Sequence, residues 1–280
     1  MTAREYITVL TIAGSDGSGG AGIQADLKAI AAGGCYGLSV ITAVTAQNTL
    51  GVTASYQLPP EFILAQFEAI ASDIRIDAVK IGMLGSPEAA ETVCELLKSL
   101  SGVPVVLDTV LRSTSGKALF PASEAASMRE LLFPLASLVT PNLPETSILA
   151  GLERVPTSRE GIEQAARKLN QDGARSVLVK GGHGEGGECR DCLLHENRIH
   201  WFSNPRIDTA NTHGTGCTLS SAIASQLAGG RDMVEAVERG IAYTRSALQA
   251  GASWRLGHGH GPLQHFPENY FASRGRRPIE

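Results

Sequence analysis

Residues 6–13 read YITVLTIA, and residues 14–22 read GSDGSGGAG. The first run is apolar and rich in β-branched residues, which predicts a short strand. The second run is a cluster of turn-forming residues, and from Gly22 to Ala31 the apolar residues recur at helical spacing. This part of the sequence therefore predicts a strand, a glycine-rich turn and a helix that ends at Gly33.

The same alternation continues along the chain. Apolar, strand-like runs are predicted at 38–44, 78–81, 103–107, 138–140 and 176–180, with helices from Pro60, from Pro87 and over 159–169. Continuous apolar strands that alternate with helices indicate an α/β fold whose parallel sheet is covered on both faces. Residues 191–202 predict a hairpin, so we expect a mostly parallel central sheet with an antiparallel edge.

Composition narrows the class of protein. The chain has 280 residues, a formal net charge of −4 and five irregularly spaced cysteines. The charge provides no basic field for nucleic acid or anionic lipid, and no apolar run reaches the roughly 18 residues of a membrane span. We therefore expect one domain over 1–280, with a tail from about 266 to 280. An odd number of irregularly spaced cysteines argues against a disulfide framework, so we expect a reducing compartment, the cytoplasm.

Polar and glycine-rich residues stand where the predicted strands end. They are Gly14-Ser15-Asp16, Gln47-Asn48, Gly82-Met83, Asp108-Thr109, Asn142 with Glu145, and Lys180-Gly181-Gly182. In open parallel sheets, ligands bind beyond the carboxyl ends of the strands. The composition of these ends is that of a nucleotide-binding cleft.

The first glycine loop, residues 17–22, matches G-x-G-x-x-G between a strand and a helix. A dinucleotide fingerprint also expects an acidic residue about 20 positions further on, and Thr42–Gln47 contains none. Gly-Lys-Ser/Thr is missing as well, so the loop is not a P-loop. A tight strand-to-helix turn and a nucleotide-dependent oxidoreductase both remain open at this point.

The second glycine loop runs from Asn211 to Cys217 and precedes a predicted helix. Glycines at a helix start let backbone N–H groups converge on an anion, and the helix dipole adds positive potential. A cysteine at such an end is expected to have a lowered pKa, so a Cys217 thiolate could accept a proton from a substrate hydroxyl. The alternative is a buried, inert cysteine.

If the anion at this second loop is a phosphoryl group in transfer, the site also requires Mg²⁺. Proteins hold this ion through few side-chain oxygens. Asp108, Asn142 and Glu145 are candidates, directly or through water, although Asn142 and Glu145 also have the spacing of a helix-capping pair. Lys180 could reach a nucleotide phosphate, or it could be a solvated strand-end lysine.

Taken together, these segments resemble the hydroxymethylpyrimidine/phosphomethylpyrimidine kinases, within the ribokinase-like fold. The matching pieces occur in family order over most of the chain: AGSD (13–16), SGGAGIQAD (18–26), VITA (40–43), QNT (47–49), KIGML (80–84), LDTV (107–110), TPNLPE (140–145), KGGH (180–183) and NTHGTGCTLS (211–220). The resemblance implies a three-layer α/β/α sandwich and an ATP- and Mg²⁺-dependent kinase of thiamine biosynthesis. It would phosphorylate the pyrimidine alcohol to a monophosphate and then to a diphosphate.

The resemblance also implies residue roles. Gly14, Asp26, Gln47, Met83 and Val110 would line the pyrimidine pocket. Gly214, Thr215 and Gly216 would form an anion hole with Cys217, which would stand in the position of the catalytic base. Asp108, Asn142 and Glu145 would organise Mg²⁺, while Asn142, Lys180 and Gly182 would contact the nucleotide and its phosphates. The resemblance further suggests a homodimer.

Two positions depart from the family pattern. Gly17 replaces a usual proline, and Lys117 stands where an acidic residue is common, in the 111–117 loop that could cover the phosphates. The first transfer is therefore better supported than the second. Pyridoxine or pyridoxal kinase is the nearest alternative, since its acceptor is also a hydroxymethyl group on a flat nitrogen heterocycle. A silent pyrimidine-binding protein, and a zinc site at Cys189 and Cys192 with His183 and His195, are further alternatives.

Overall fold

A computed structural model describes residues 4–113, 116–182 and 187–267 of the chain. Within these ranges the strands are β1 (Thr8–Asp16), β2 (Tyr36–Asn48), β3 (Gly51–Gln57), β4 (Ala78–Ile81), β5 (Val105–Leu107), β6 (Leu138–Val139), β7 (Val177–Val179), β8 (Glu188–His195) and β9 (Arg198–Pro205). The helices are α1 (Gly22–Ala32), α2 (Pro60–Ala71), α3 (Pro87–Lys98), α4 (Ala125–Leu132), α5 (Leu143–Leu149), α6 (Arg159–Gln171), α7 (Thr215–Ala228) and α8 (Met233–Gly251).

The described strands form one sheet of nine, in the order β3-β2-β1-β4-β5-β6-β7-β8-β9. Every neighbouring pair from β2 to β7 is parallel, whereas β3 at one edge and β8 and β9 at the other are antiparallel. The β8–β9 hairpin turns at Glu196 and Asn197, whose φ angles of 48° and 60° match the strand twist. The predicted α/β architecture with an antiparallel edge is therefore confirmed.

Two apolar layers sandwich this sheet. Alternate side chains of the central strands, such as Val9 and Val106, pack with α1, α7 and α8. Their neighbours, such as Leu10 and Leu107, pack with α2 to α6 on the other face. Since both faces are covered, the central strands read as continuous apolar runs, which made them recognisable in the sequence. In the described residues, no helix is long and apolar enough to cross a bilayer.

One strand and one helix of the structure were not predicted from the sequence. The edge strand β3 is mostly exposed and carries few apolar residues, so it lacks the hydrophobic pattern of a buried strand. The short helix α4 was likewise not predicted. The predicted tail begins near 266, and from residue 268 it lies outside the described residues.

A buried ion pair fixes α1 against the sheet. Lys80 on β4 and Asp26 on α1 are both fully buried, and the Lys80 Nζ lies 2.9 and 2.8 Å from the two Asp26 carboxylate oxygens. Burial alone would lower the pKa of Lys80, but the Asp26 charge outweighs it and holds that pKa above its usual range. Thr11 and Ser221 each donate a hydrogen bond to the same carboxylate, at 2.7 and 2.8 Å. The carboxylate thus joins β1, β4, α1 and α7.

We expect Asp26→Ala to lower the free energy of unfolding by about 3–5 kcal/mol, because the buried Lys80 charge loses its partner. The double variant Asp26→Leu/Lys80→Met should lose much less, since it leaves no unpaired charge. Denaturant unfolding with Glu95→Ala as control is the measurement, because Glu95 belongs to a solvent-exposed pair with Lys98 whose loss should change stability little. Equal losses for Asp26→Ala and Glu95→Ala would contradict this account.

Candidate active site

A cavity of about 620 Å³ lies beyond the carboxyl ends of the parallel strands. Its wall takes residues in sheet order, from Gln47 on β2, through Gly14 on β1 and the positions that follow β4 to β7, to Asn204 on β9. Strand ends meet there because parallel strands direct their carboxyl ends to one edge, and that edge is where open α/β sheets bind ligands. The predicted cleft therefore corresponds to an actual cavity.

The two glycine loops meet at the start of α7. Gly214 has a φ of 84°, in the left-handed region, and an added Cβ there would overlap the Gly20 carbonyl oxygen. A Cβ on Gly20 would in turn overlap the His213 ring. The first loop is thus a tight turn whose glycines let α1 and α7 begin side by side.

An ion pair occupies the centre of the cavity wall. Lys180, which follows β7, places its Nζ 2.6 Å from Asp108 Oδ1, and Thr140 donates to the same oxygen at 3.2 Å. Burial would raise the pKa of Asp108, but Lys180 and then Lys80 outweigh it and hold that pKa below its usual range. Burial would lower the pKa of Lys180, yet Asp108 and then Glu145 raise it. Both groups are therefore charged at neutral pH.

Gly216 brings the first turn of α7 close to this pair, because it has no side chain. A Cβ at this position would lie 3.3 Å from both Asp108 Oδ2 and Lys180 Nζ. Gly216 lies in the first turn of α7, where backbone N–H groups lack helical partners and attract anions. An ammonium group and a helix start thus face the same small space, which suits a phosphoryl group.

Asn142 and Glu145 form the capping box of α5. The Asn142 side chain accepts from the Glu145 N–H, and the Glu145 carboxylate accepts from the Asn142 N–H, both at 2.9 Å. Thr109 also reaches Glu145, at 3.4 Å. The capping interpretation is therefore correct for this geometry, and both capping residues also line the cavity.

The positive charge around the Glu145 carboxyl does not offset the cost of its burial. Burial raises its pKa to about 7, with Lys180 lowering it and Asp108 raising it further. A cation beside Asp108 and Glu145 would relieve this cost, so the donor set fits Mg²⁺. In the described part of the chain, no group of three His, Cys, Asp or Glu side chains surrounds a metal. That arrangement is compatible with an ion that takes most of its ligands from phosphates and water.

Cys217 corrects one prediction. Its thiol lines the cavity at the start of α7, but its pKa is raised to about 11 and not lowered. Burial is the main cause; Lys80 lowers the pKa, while the charges of Asp26 and Asp108 raise it. The helix start was the only influence visible in the sequence, whereas two buried carboxylates and desolvation decide the outcome. The resting side chain is a neutral thiol.

Four of the five residues predicted for the pyrimidine pocket lie together in the structure. Gly14, Gln47, Met83 and Val110 line one end of the cavity, and the Gly14 N–H donates to the Met83 carbonyl at 3.0 Å. Asp26 does not line it, because its carboxylate is fully buried in the pair with Lys80. A polar residue next to a glycine loop suggested a ligand contact, but its buried partner is 54 positions away in the chain.

The opposite end of the cavity was missed by the sequence analysis. It is an apolar slot with basic groups at its rim, lined by Arg206, Ile207, Leu219, Ile241, Thr244, Arg245 and Leu248. Four of these lie on α8 at helical spacing, a signal that the sequence does contain. Such a stripe is normally interpreted as core, and only the tertiary structure leaves it facing a cavity.

The remaining predicted residues lie after β7 and in the 111–117 loop. Gly181 donates its N–H to Asp191 at 2.8 Å, and the exposed Gly182 offers its carbonyl to Arg206 at 3.0 Å. The Lys117 Nζ donates to the backbone carbonyls of Val52 and Thr53 on β3, and Lys117 is not among the residues that line the cavity. Thr114 and Ser115 of the same loop lie outside the described residues.

The two cysteines of the possible zinc site lie on β8. Cys192 is buried in the core, whereas Cys189 lines the cavity. Residues three apart on a strand point to opposite faces, so these two thiols do not converge. His195 bonds to Ser176, and His183 lies outside the described residues.

The amino-acid sequence of this chain is similar to those of known kinases. The family described as phosphomethylpyrimidine kinase matches residues 16–264. The hydroxymethylpyrimidine/phosphomethylpyrimidine kinase of Escherichia coli (strain K12) is 45% identical over 260 residues, which cover 93% of this chain and 97% of that protein.

Two solved structures extend the comparison. The phosphomethylpyrimidine kinase of Clostridium difficile 630 has a TM-score of 0.76 and 42% identity, covering 86% of this chain and 98% of that one. The pyridoxal kinase of Bacillus subtilis, in complex with ADP, has a TM-score of 0.86 and 33% identity, covering 93% and 98%. Backbone shape thus favours the second and sequence the first, and we give sequence more weight because side chains set ligand chemistry. The sequence match over residues 16–264, on a ribokinase-like fold with these loops at its strand ends, shows that the chain belongs to the phosphomethylpyrimidine kinase family.

Proposed function

We propose that this protein is an ATP-dependent kinase that phosphorylates 4-amino-5-hydroxymethyl-2-methylpyrimidine, first to the monophosphate and then to the diphosphate. The observation that carries the proposal is the continuous cavity, which has Gln47 and Met83 at one end, an apolar slot at the other, and the Lys180–Asp108 pair between them. A flat heterocycle fits the first end and a nucleobase the second. Their reacting groups would then meet in front of Gly216.

The residues divide the work as follows in this proposal. The γ-phosphoryl group lies at the start of α7, where the N–H groups after Gly214 and the Lys180 ammonium stabilise its charge. Asp108 and Glu145, with Asn142, would hold Mg²⁺, which when bound neutralises charge on the phosphates. The slot between Ile207 and Leu248 takes the adenine in this proposal. The ADP complex of the Bacillus subtilis pyridoxal kinase supports the use of an adenine nucleotide.

Cys217 is the proposed proton acceptor. The hydroxymethyl oxygen attacks the γ-phosphorus, the bond to the β-phosphate oxygen breaks, and ADP leaves. The hydroxyl proton passes to the Cys217 Sγ, which later releases it to water. Because the thiol pKa is about 11, the thiolate is on the order of 10⁻⁴ of the population at pH 7. Positioning and charge would therefore account for most of the catalysis.

We also propose a homodimer in a reducing cytoplasm. The exposed side chains of Tyr36 and Tyr56 lie on β2 and β3 at the sheet edge, where an unpaired strand invites association. All five cysteines lie in the described ranges as free thiols, which suits a reducing compartment. We propose no nucleic-acid or membrane partner, and sedimentation velocity tests the dimer.

Pyridoxine is the second candidate acceptor, favoured by the high TM-score with the Bacillus subtilis pyridoxal kinase. Incubation with Mg·ATP and either alcohol, followed by mass analysis, separates the two. We expect the pyrimidine to gain one and then a second phosphoryl group. A product that stops at the monophosphate would contradict the second step, and phosphorylation of pyridoxine alone would overturn the assignment.

Gly216→Ala should lower kcat/KM about 10²–10³-fold while the protein remains folded, because the methyl group fills the space proposed for the phosphoryl group. Alanine suits the helical backbone at this position. Gly17→Ala is the matched control, since a Cβ on Gly17 meets nothing within 4 Å and Gly17 does not line the cavity. Steady-state kinetics that show equal activity of the two variants would contradict the placement of the phosphoryl group.

The proton acceptor gives a pH prediction. Because only the thiolate accepts a proton and the Cys217 pKa is about 11, kcat should rise with pH between 7 and 9 at saturating Mg·ATP and pyrimidine. Cys217→Ser should lower kcat about 10²–10⁴-fold and remove the slope. Cys35→Ser, at a cysteine outside the cavity lining, should keep both. A wild-type rate that does not change over this range would contradict the role of Cys217.

A further inference from the structure

A hydrogen-bonded cluster lies at the pyrimidine end of the cavity, and the reaction proposed above does not use most of it. It consists of Asp16 at the end of β1, Thr45 and Gln47 on β2, and His213 in the second glycine loop. All four line the cavity, yet Asp16 and His213 are almost fully buried, at 2% and 7% exposure. A histidine brought onto a glutamine from 166 positions away calls for a physical explanation.

Asp16 is an ionised acceptor in a fixed position. Its carboxylate receives the Ser18 N–H at 2.9 Å, the Ser18 hydroxyl at 2.7 Å and the Ala21 N–H at 2.9 Å. Burial would raise its pKa, but the bonds from His213 and Ser18 outweigh burial and lower that pKa to about 2. The His213 Nε2 lies 2.8 Å from Asp16 Oδ2. Since an ionised carboxylate only accepts, Nε2 must carry a hydrogen.

The first glycine loop packs against the His213 ring and restricts its rotation. A Cβ on Gly20 would overlap the His213 Cδ2, and the His213 backbone N–H donates to the Gly261 carbonyl at 3.1 Å. The single Nε2 hydrogen is donated to Asp16 Oδ2 and is shared with the neighbouring Gln47 amide, whose nitrogen the structure places 3.1 Å from Nε2.

The hydrogens in this space fix the orientation of the amide. The Thr45 hydroxyl has one hydrogen, and the Ser15 carbonyl, 2.9 Å away, can only accept it. Thr45 Oγ1 must then accept from the Gln47 group that lies 3.2 Å from it. That group is consequently the NH₂, and the amide oxygen faces the His213 N–H. The structure has the amide the other way round, with its nitrogen toward His213 and its oxygen toward Thr45. That assignment would set two donors against each other. Since amide nitrogen and oxygen are assigned from their hydrogen-bond partners, this network requires that the two be exchanged.

We propose that His213, held by Asp16, is a positioning residue that locks the Gln47 amide and thereby sets the heterocycle specificity of the site. The inference rests on the proposed function, in which Gln47 binds the substrate ring. The locked amide has one N–H and one oxygen lone pair left for a ligand, in a single order. An aminopyrimidine edge offers a ring nitrogen acceptor beside an amino donor and can match that order, whereas pyridoxine has no such adjacent pair.

Two near-isosteric substitutions test the lock. Glutamine places its amide nitrogen near the position of Nε2, whereas asparagine reaches only that of Nδ1. We expect His213→Asn to raise KM for the pyrimidine about tenfold or more, with kcat and KM for ATP within about threefold, because a donor is lost at Gln47. His213→Gln should restore KM to within about threefold of wild type. The ratio of kcat/KM for pyrimidine to that for pyridoxine should fall with the asparagine variant alone.

An unchanged pyrimidine KM in His213→Asn would overturn the proposal, as would a loss of kcat with no change in that KM. A wild-type protein that fails to phosphorylate the pyrimidine would instead refute the proposed function. In that case, and if a variant fails to fold, ¹⁵N spectra of the wild-type imidazoles decide. A hydrogen on His213 Nε2 supports the lock, and a neutral ring with its hydrogen on Nδ1 alone overturns it.

Discussion

The rest of the site depends on the Asp26 carboxylate. It binds the Lys80 ammonium and the Thr11 and Ser221 hydroxyls, so one buried charge ties α1 and α7 to β1 and β4. Both helices begin at the cavity, and their first turns carry the two glycine loops. A buried carboxylate without these partners would be costly, which makes this arrangement of the four elements strongly preferred. The contact of Gly20 with Gly214 then follows from where the two helices start.

The charged side chains of the cavity wall suit a ligand that is itself charged. Lys180 is satisfied by Asp108, while Glu145 is left with a pKa near 7 because its neighbours do not offset its burial. Phosphates and a divalent cation would add charges of both signs to this wall. The Cys217 thiol faces the same surroundings, and the carboxylates that raise its pKa also order the wall around it. The same carboxylates therefore affect both the Cys217 pKa and the arrangement of the cavity wall.

Several of these features were accessible from the sequence. Strand runs ending in polar residues placed Gly14, Gln47, Asp108 and Lys180 at one sheet edge, because parallel strands share their direction. The Asn142–Glu145 spacing indicated both a cap and a cavity residue, and the two interpretations proved compatible. The structure places Asp26 outside the cavity lining and raises the Cys217 pKa, contrary to the expected lowering, since both depend on partners distant in the chain. The α8 stripe was visible but ambiguous, because apolar spacing alone does not separate a core from a cavity wall.

The sequence by itself determined most of the order of strands and helices, with β3 and α4 as exceptions. It also determined the antiparallel hairpin at one edge, the positions of both glycine loops and the family. These follow from local hydrophobic periodicity, turn chemistry and motifs, which act over a few residues. Only the tertiary structure decided that Asp26 pairs with Lys80, that His213 meets Gln47, and that Cys217 remains a neutral thiol. The reason is physical: burial and the energy of a charge or a hydrogen bond depend on groups that the fold brings together from distant parts of the chain.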